Sequence, residues 1–275
     1  MKNILITGGN GYIASAIFNS LSINYEWNSL SPKYSITKIT RNDFDLTNYE
    51  ETKTWFSDKY FDVVIHTAIE GGSRLRQDDM FTTDSNLRMY YNLLDNQKSF
   101  GRFINIGSGA ELHQYTTPYG LSKYVIHRSM LEKTEFYNLR IFAIFDENEW
   151  DTRFIKTNIN KYIKKEPLTV YEDKRMDFFY MPDFITTVAY YINEQTPPKE
   201  FNCTYEKSYY LSEIAEKINN LSEYKVDIDI ANSQHGTDYI GTVTPIDVQF
   251  YGLDYGINIM YQKLLQKSGR EMWSL

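Results

Sequence analysis

The chain has 275 residues, one cysteine and a formal net charge of −7 at pH 7, which excludes an internal disulfide and argues against a general nucleic-acid binder. That length accommodates one large α/β domain, alone or with a small appendage. No apolar run of about eighteen residues is present to span a membrane; the first strand is expected within a few residues of Met1, leaving no room for a signal peptide, and the lone Cys203 fits a reducing compartment, so a cytoplasmic protein is expected.

The first predicted element is an apolar strand at 3–7 that runs into a glycine-rich turn, Thr7-Gly-Gly-Asn-Gly-Tyr-Ile-Ala14. Read as Thr-Gly-x-x-Gly-x-x-Ala, the turn puts Gly8 where tight dihedrals are needed and Gly11 where a backbone must approach a pyrophosphate without a Cβ in the way. Ala14 lets the next helix pack closely on the sheet. Tyr12 and Ile13 open that helix, whose N-terminus offers unpaired N–H groups and a positive dipole end to phosphates. The helix at 12–21 carries its apolar residues, Ile13, Ile17, Phe18 and Leu21, at helical spacing. Strands at 35–40, 62–67, 102–107 and 138–142 then alternate with helices at 49–59, 79–98 and 119–133. This alternation predicts βαβ units and a doubly wound parallel sheet of the Rossmann type, with ligands at the carboxyl ends of the strands. After about residue 150 the rhythm changes to a helix at 154–164, a strand at 168–171, a helix at 183–193, a strand at 201–204 and a helix at 211–220. The expected organisation is therefore a dinucleotide-binding domain over 1–150 and a small C-terminal substrate-binding lobe over 151–275, with the two interleaved.

A second constellation lies in Pro118-Tyr-Gly-Leu-Ser-Lys123. Tyr119 and Lys123 stand four residues apart at the start of a predicted helix, one turn apart on one face. An unperturbed phenol titrates near pKa 10 and needs a nearby cation to exchange protons at neutral pH, which Lys123 can supply. Ser108 follows the strand Phe103-Ile-Asn-Ile-Gly107, at a carboxyl end where a hydroxyl could polarise a substrate carbonyl. His113, His127 and His235 show no metal-ligand spacing with each other or with Cys203, so no metal site is expected.

Taken together, these motifs resemble the extended short-chain dehydrogenase/reductase family (epimerase/dehydratase-like) in its nucleotide-sugar branch, over residues 1 to about 190. Thr7–Ala14 is similar to its cofactor turn, and Ser108, Tyr119 and Lys123 to its catalytic triad. Val64-Ile-His-Thr-Ala-Ile69 resembles the strand ending that lies along the cofactor, and 86–94 the family's Asn-Val-x-Gly-Thr-x-Asn-Leu-Leu helix. Leu139-Arg-Ile-Phe142 and Asp177-Phe-Phe-Tyr-Met-Pro-Asp183 resemble two later blocks. The resemblance implies cofactor contacts from Asp45, Leu46, Thr67, Ala68, Ile69, Asn86 and Phe142, as well as from Tyr119 and Lys123. Glu70, Arg74, Ser108 and Arg175 are its substrate-side candidates, although Glu70, Arg74 and the nearby Glu111 are read first as solvated loop charges. His66 is read as a packed strand-end residue. Ala143 replaces the family's usual asparagine, Met176 replaces an arginine, and the 109–118 loop is shortened.

The second strand ends Ile39-Thr40-Arg41-Asn42, with no carboxylate until Asp43, so Arg41 favours NADP over NAD. Within the family the motifs look most like the GDP-fucose synthase and dTDP-4-keto-rhamnose reductase group. Fucose synthase also epimerises, through a cysteine two residues past the serine and a later histidine. Position 110 here is alanine and no histidine occurs between His127 and His235, so that route is not expected. The resulting expectation is an NADPH-dependent reductase of a keto group on a nucleotide-activated sugar. An NAD-retaining epimerase or 4,6-dehydratase and a non-catalytic NADP sensor are the alternatives. The resemblance also implies a homodimer, paired through the helix at 86–98.

Overall fold

The computed structural model describes residues 1–23, 33–73, 75–232 and 234–272, with side chains to residue 269. In chain order the elements are β1 (Lys2–Thr7), α1 (Tyr12–Ser22), β2 (Tyr34–Ile39), α2 (Tyr49–Phe56), β3 (Phe61–His66), α3 (Met80–Asp95), β4 (Phe100–Ser108), α4 (Ala110–His113), α5 (Pro118–Met130) and β5 (Phe136–Ile141). There follow β6 (Ile144–Phe145), α6 (Phe154–Ile163), β7 (Leu168–Val170), β8 (Arg175–Met176), β9 (Phe179–Tyr180), α7 (Met181–Asn193), β10 (Glu200–Cys203), β11 (Tyr209–Tyr210), α8 (Leu211–Asn219), β12 (Ile228–Ile230) and α9 (Leu253–Met272). Among the described residues, no helix is long and apolar enough to cross a membrane.

The main sheet has six strands in the order β10-β5-β4-β3-β1-β2, and the pairs from β5 to β2 are parallel. The expected α/β Rossmann-type sheet is thus what the chain forms. The central strands are near-continuous apolar runs because helices cover both faces; Ile4, Leu5 and Ile6 are all fully buried. Chain order reverses between β1 and β3, a topological switch point where sheets of this kind bind ligands. The predicted strand at 201–204 is the sixth strand of this sheet, beside β5.

The residues form two compact units, Met1–Ile141 with Thr187–Phe201, and Phe142–Thr186 with Asn202–Leu275. The helix starts of the first unit are explained by local chemistry. Asn48 accepts from the N–H groups of Glu50 and Glu51 at the start of α2, and Asp79 from those of Phe81 and Thr82 at the start of α3. Its core packs Leu5, Val64 and Phe103 of the sheet against Phe56, Tyr90, Leu93 and Ile126 of the helices.

The second unit has its own core, in which Ile155, Ile159 and Tyr162 of α6 meet Ile214 and Ile218 of α8 and Ile257 and Met260 of α9. Helix α9 was not expected from the sequence. Its buried residues Leu253, Ile257, Met260, Tyr261 and Leu264 nevertheless recur at helical spacing. Three short two-stranded pairs, β6–β9, β7–β12 and β8–β11, complete this unit.

Glu149, in the loop between β6 and α6, is buried, and its Oε1 has no hydrogen-bond partner among the described residues. Burial pushes its carboxyl from 4.5 up to about 8, opposed by Arg153 and assisted by Asp146. Between those values the folded chain keeps a proton that the unfolded chain releases, so this group makes stability fall as pH rises. Glu149→Gln is therefore expected to be more stable than the parent at pH 8, by on the order of a few kcal/mol, with the gain vanishing towards pH 4.5. Urea denaturation of both proteins across that range checks this; a gain independent of pH would contradict it.

Candidate active site

At the switch point, the turns that follow β1 and β3 touch backbone to backbone. Gly8 has φ +66°, and a Cβ there would lie 2.7 Å from the Cα of Ala68. Only glycine satisfies both the dihedral and the contact. Gly11, the cap of α1, makes no side-chain cap hydrogen bond, and a helix start of this kind is compatible with an anion. The two turns are tied by Thr7, whose Oγ1 accepts from the N–H groups of Thr67 (3.2 Å) and Ala68 (3.1 Å). With both lone pairs engaged, the Thr7 hydroxyl donates its own proton to Nδ1 of His66, 2.9 Å away. His66 is therefore neutral with its proton on Nε2, in keeping with burial and the Lys123 charge pulling it down to about 3. His66 packs at the strand end as expected.

Beside this turn opens a cleft of about 280 Å³ whose lining includes Gly8, Arg41, Asp45, Leu46, Ala68, Ile69 and Glu70. Arg41 is exposed and pairs with Glu70 at 3.1 Å, while Arg76 reaches the other Glu70 oxygen at 2.9 Å. Asp43 turns away, accepting from the N–H (2.7 Å) and hydroxyl (3.0 Å) of Thr40. Arg76 was missed in the sequence because it lies on an irregular loop, where no periodicity assigns direction. Asn86 is buried, with its amide bonded to the backbone of Glu70 and to the hydroxyl of Ser122. It joins α3 to α5 and to the loop after β3.

The three residues expected from the sequence to be catalytic, Ser108, Tyr119 and Lys123, lie at the end of β4 and in the first turns of α5. Thr117 caps α5 by accepting from Gly120 N–H, and Pro118 supplies the preset φ of the first turn. Gly120 is required because the Gln114 carbonyl oxygen sits 1.9 Å from where its Cβ would be. Thr83 of α3 donates to the Pro118 carbonyl at 2.8 Å, which fixes the turn that carries Tyr119. Lys123 is buried; its Nζ donates to the Ile106 carbonyl at 2.6 Å and lies 6.0 Å from the Tyr119 ring centre. Gly72 passes against the Tyr119 ring, since a Cβ there would fall 2.8 Å from Cε2 and Cζ. Ser108 is buried at the end of β4, and its Oγ accepts from Ala110 N–H at 3.2 Å.

One expectation is overturned at this site. Glu111 was read as a solvated loop charge, yet it is fully buried. Its Oε1 accepts from Ser108 N–H at 2.9 Å, and its Oε2 accepts from Asn138 Nδ2 at 3.0 Å and Arg140 Nε at 2.9 Å. The shortened loop folds as α4 and carries the carboxylate inward instead of leaving it in solvent.

Two candidates belong to the second unit. Phe142 is buried, its ring 5.5 Å from that of Tyr239. Arg175 is partly exposed and held by Asp238 through its Nε at 2.9 Å. Arg74 lies outside the described residues.

A family profile described as the NAD dependent epimerase/dehydratase family matches residues 4–204. Comparison with curated protein sequences finds no match. Among solved structures, the chain is similar to a UDP-glucose 4-epimerase from Thermotoga maritima (14% identity, 97% of this chain and 99% of that one, TM-score 0.75). It is also similar to a GDP-mannoheptose C4 reductase from Campylobacter jejuni with NADP bound (13% identity, 96% and 98%, TM-score 0.75). A dTDP-glucose 4,6-dehydratase from Bacillus anthracis in complex with NAD matches at 15% identity (100% and 99%, TM-score 0.71). At these identities the likeness is one of fold.

Burial lowers Lys123 from 10.5 to about 8, and the Glu111 charge opposes the shift. Between those values the unfolded chain binds a proton that the folded chain has lost, so stability rises with pH there. Relative to a Lys123→Met variant, the parent protein is expected to gain on the order of 3 kcal/mol between pH 8 and pH 10.5. Paired denaturation curves test this, and a difference that stays constant with pH would show that Lys123 is not buried as a cation.

Proposed function

The chain belongs to the NAD dependent epimerase/dehydratase family, whose members are NAD(P)-dependent enzymes, and from that premise we propose that it is an NADPH-dependent reductase of a keto group on a nucleotide-activated sugar. The residues present fit a dinucleotide. The Cβ-free turn at Gly8 and the uncapped start of α1 suit a pyrophosphate, and the adjoining cleft suits an adenosine. Gly8, Gly11, Tyr12 and Ile13 would hold the phosphates, while Asp45, Leu46, Thr67, Ala68 and Ile69 border the nucleoside. The observation that carries the choice of NADPH is Arg41 on the cleft wall, with Asp43, the first carboxylate after β2, engaged by Thr40. The choice of net reduction follows from that preference and from Ala110, which stands where fucose synthase has its epimerising cysteine.

A nicotinamide cofactor bound there supplies a hydride to the ketone carbon. Tyr119 gives its phenolic proton to the oxygen that becomes the alcohol, and Ser108 hydrogen-bonds the same oxygen. Lys123 places a positive charge beside the phenol, which favours release of that proton, and it is placed to grip a ribose hydroxyl. Its bond to the Ile106 carbonyl fixes the ammonium against the end of β4.

Tyr119→Phe is expected to lower turnover of nucleotide-linked keto sugars by about two to four orders of magnitude while leaving NADPH affinity nearly unchanged. Retained turnover would remove Tyr119 from this role. Arg41→Ser is expected to weaken NADPH binding by about ten- to a hundredfold with little effect on NADH, measured by nucleotide fluorescence titration. Stoichiometric NAD released on denaturing the purified protein would instead support an epimerase or dehydratase.

A further inference from the structure

A buried carboxylate lies directly behind the reactive residues, and nothing in the reaction described above uses it. Glu111 receives three hydrogen bonds, one from the main chain of Ser108 and two from Asn138 and Arg140. The space it fills exists because residue 107 is glycine, since a Cβ there would lie 2.4 Å from Glu111 Oε1. Arg140, itself 2% exposed, continues to Glu200 at 3.2 Å, and Glu200 also meets His127 at 2.6 Å. His127 Nδ1 stands 3.8 Å from Glu111 Oε2.

Charges of both signs are buried together here. The Glu111 carboxylate pairs with the Arg140 guanidinium at 2.9 Å, and its charge also opposes the lowering of Lys123. Removing Glu111 would leave positive charge without that partner in a low-dielectric interior, which is costly. The surrounding elements supply His66 from β3, Tyr119 and His127 from α5, Arg140 from β5 and Glu200 from β10. Of these, only Glu200 shares with Glu111 a carboxylate charge, and it is partly exposed and engaged by Arg140 and His127.

We propose that Glu111 is a positioning residue of this site: its buried carboxylate, clamped by Asn138 and Arg140, holds the main chain of Ser108 and provides the fixed negative charge that balances the Lys123 ammonium. This rests on the reading of Ser108 and Lys123 as reacting-centre residues. The carboxylate touches neither substrate nor cofactor. It acts through the serine it orients and the lysine it keeps charged.

The test uses the full chain, labelled with 13Cε-lysine, with the Lys123 signal assigned by its loss in Lys123→Arg. In the parent protein the signal should titrate near pH 8. In Glu111→Gln, which keeps an acceptor for Ser108 N–H but removes the charge, the midpoint should fall by about one unit or more. An unchanged midpoint overturns the proposal, because a merely structural glutamate would not move the titration of Lys123. Glu111→Asp covers the case in which the glutamine variant does not fold. It keeps the charge but withdraws the oxygen from Ser108, so Lys123 should titrate as in the parent while the Ser108 amide exchanges with solvent about tenfold faster. Unchanged exchange at Ser108 also overturns the proposal. Neither readout involves substrate or cofactor, so failure here is distinct from failure of the reductase reading, which the Tyr119→Phe turnover assay decides.

Discussion

The site depends on one row of buried polar side chains that crosses four adjacent strands at the same level. Thr7, His66, Asn105 and Asn138 are register partners on β1, β3, β4 and β5, and all are buried. Buried polar groups need hydrogen-bond partners, so within this row the side chains constrain one another in two bonded pairs. Thr7 binds His66 and the backbone after β3. Asn105 donates to Asn138 at 2.7 Å, and Asn138 donates to Glu111. One pair, Thr7 with His66, holds the glycine turn, and the other, Asn105 with Asn138, leads through Glu111 to the Ser108 segment.

Charge is handled in opposite ways on the two sides of this unit. Inside, Glu111 and Arg140 have no water to solvate them, and their pairing is rigid because either partner alone would be an unmatched buried charge. At the cleft, Arg41 and Arg76 share Glu70 while largely solvated, and exposed pairs of that kind contribute roughly 0–1 kcal/mol. Such pairs rearrange cheaply around an arriving anion. The first arrangement fixes the main chain of Ser108, and the second leaves side chains that can turn at low cost.

Much of this was legible in the sequence because it rests on short-range rules. The glycine turn, the strand–helix alternation, and the Tyr119 and Lys123 spacing each involve residues a few positions apart, where periodicity and dihedral demands leave a direct trace. Glu111 shows where such reading ends. A glutamate in a polar loop four residues after a strand looks solvated, and only the approach of Arg140 and Asn138, some thirty positions later, makes its burial tolerable. Arg76 fails for a similar reason, since the direction of a loop side chain has no periodic signature. Helix α9 differs: its apolar spacing was available, but its tyrosines and polar residues blur the pattern until the packing partners on α6 are known.

By itself, then, the sequence determined the Rossmann-type order of strands and helices, the glycine turn after β1 and the one-turn spacing of Tyr119 and Lys123, because local geometry dictates each of them. The tertiary structure alone decided that β10 returns to complete the main sheet, that Asp43 turns back onto Thr40 and leaves Arg41 at the cleft, and that a buried carboxylate stands behind Ser108. These are outcomes of long-range pairing, in which the free energy of a charge or an edge strand depends on partners that sequence proximity does not specify.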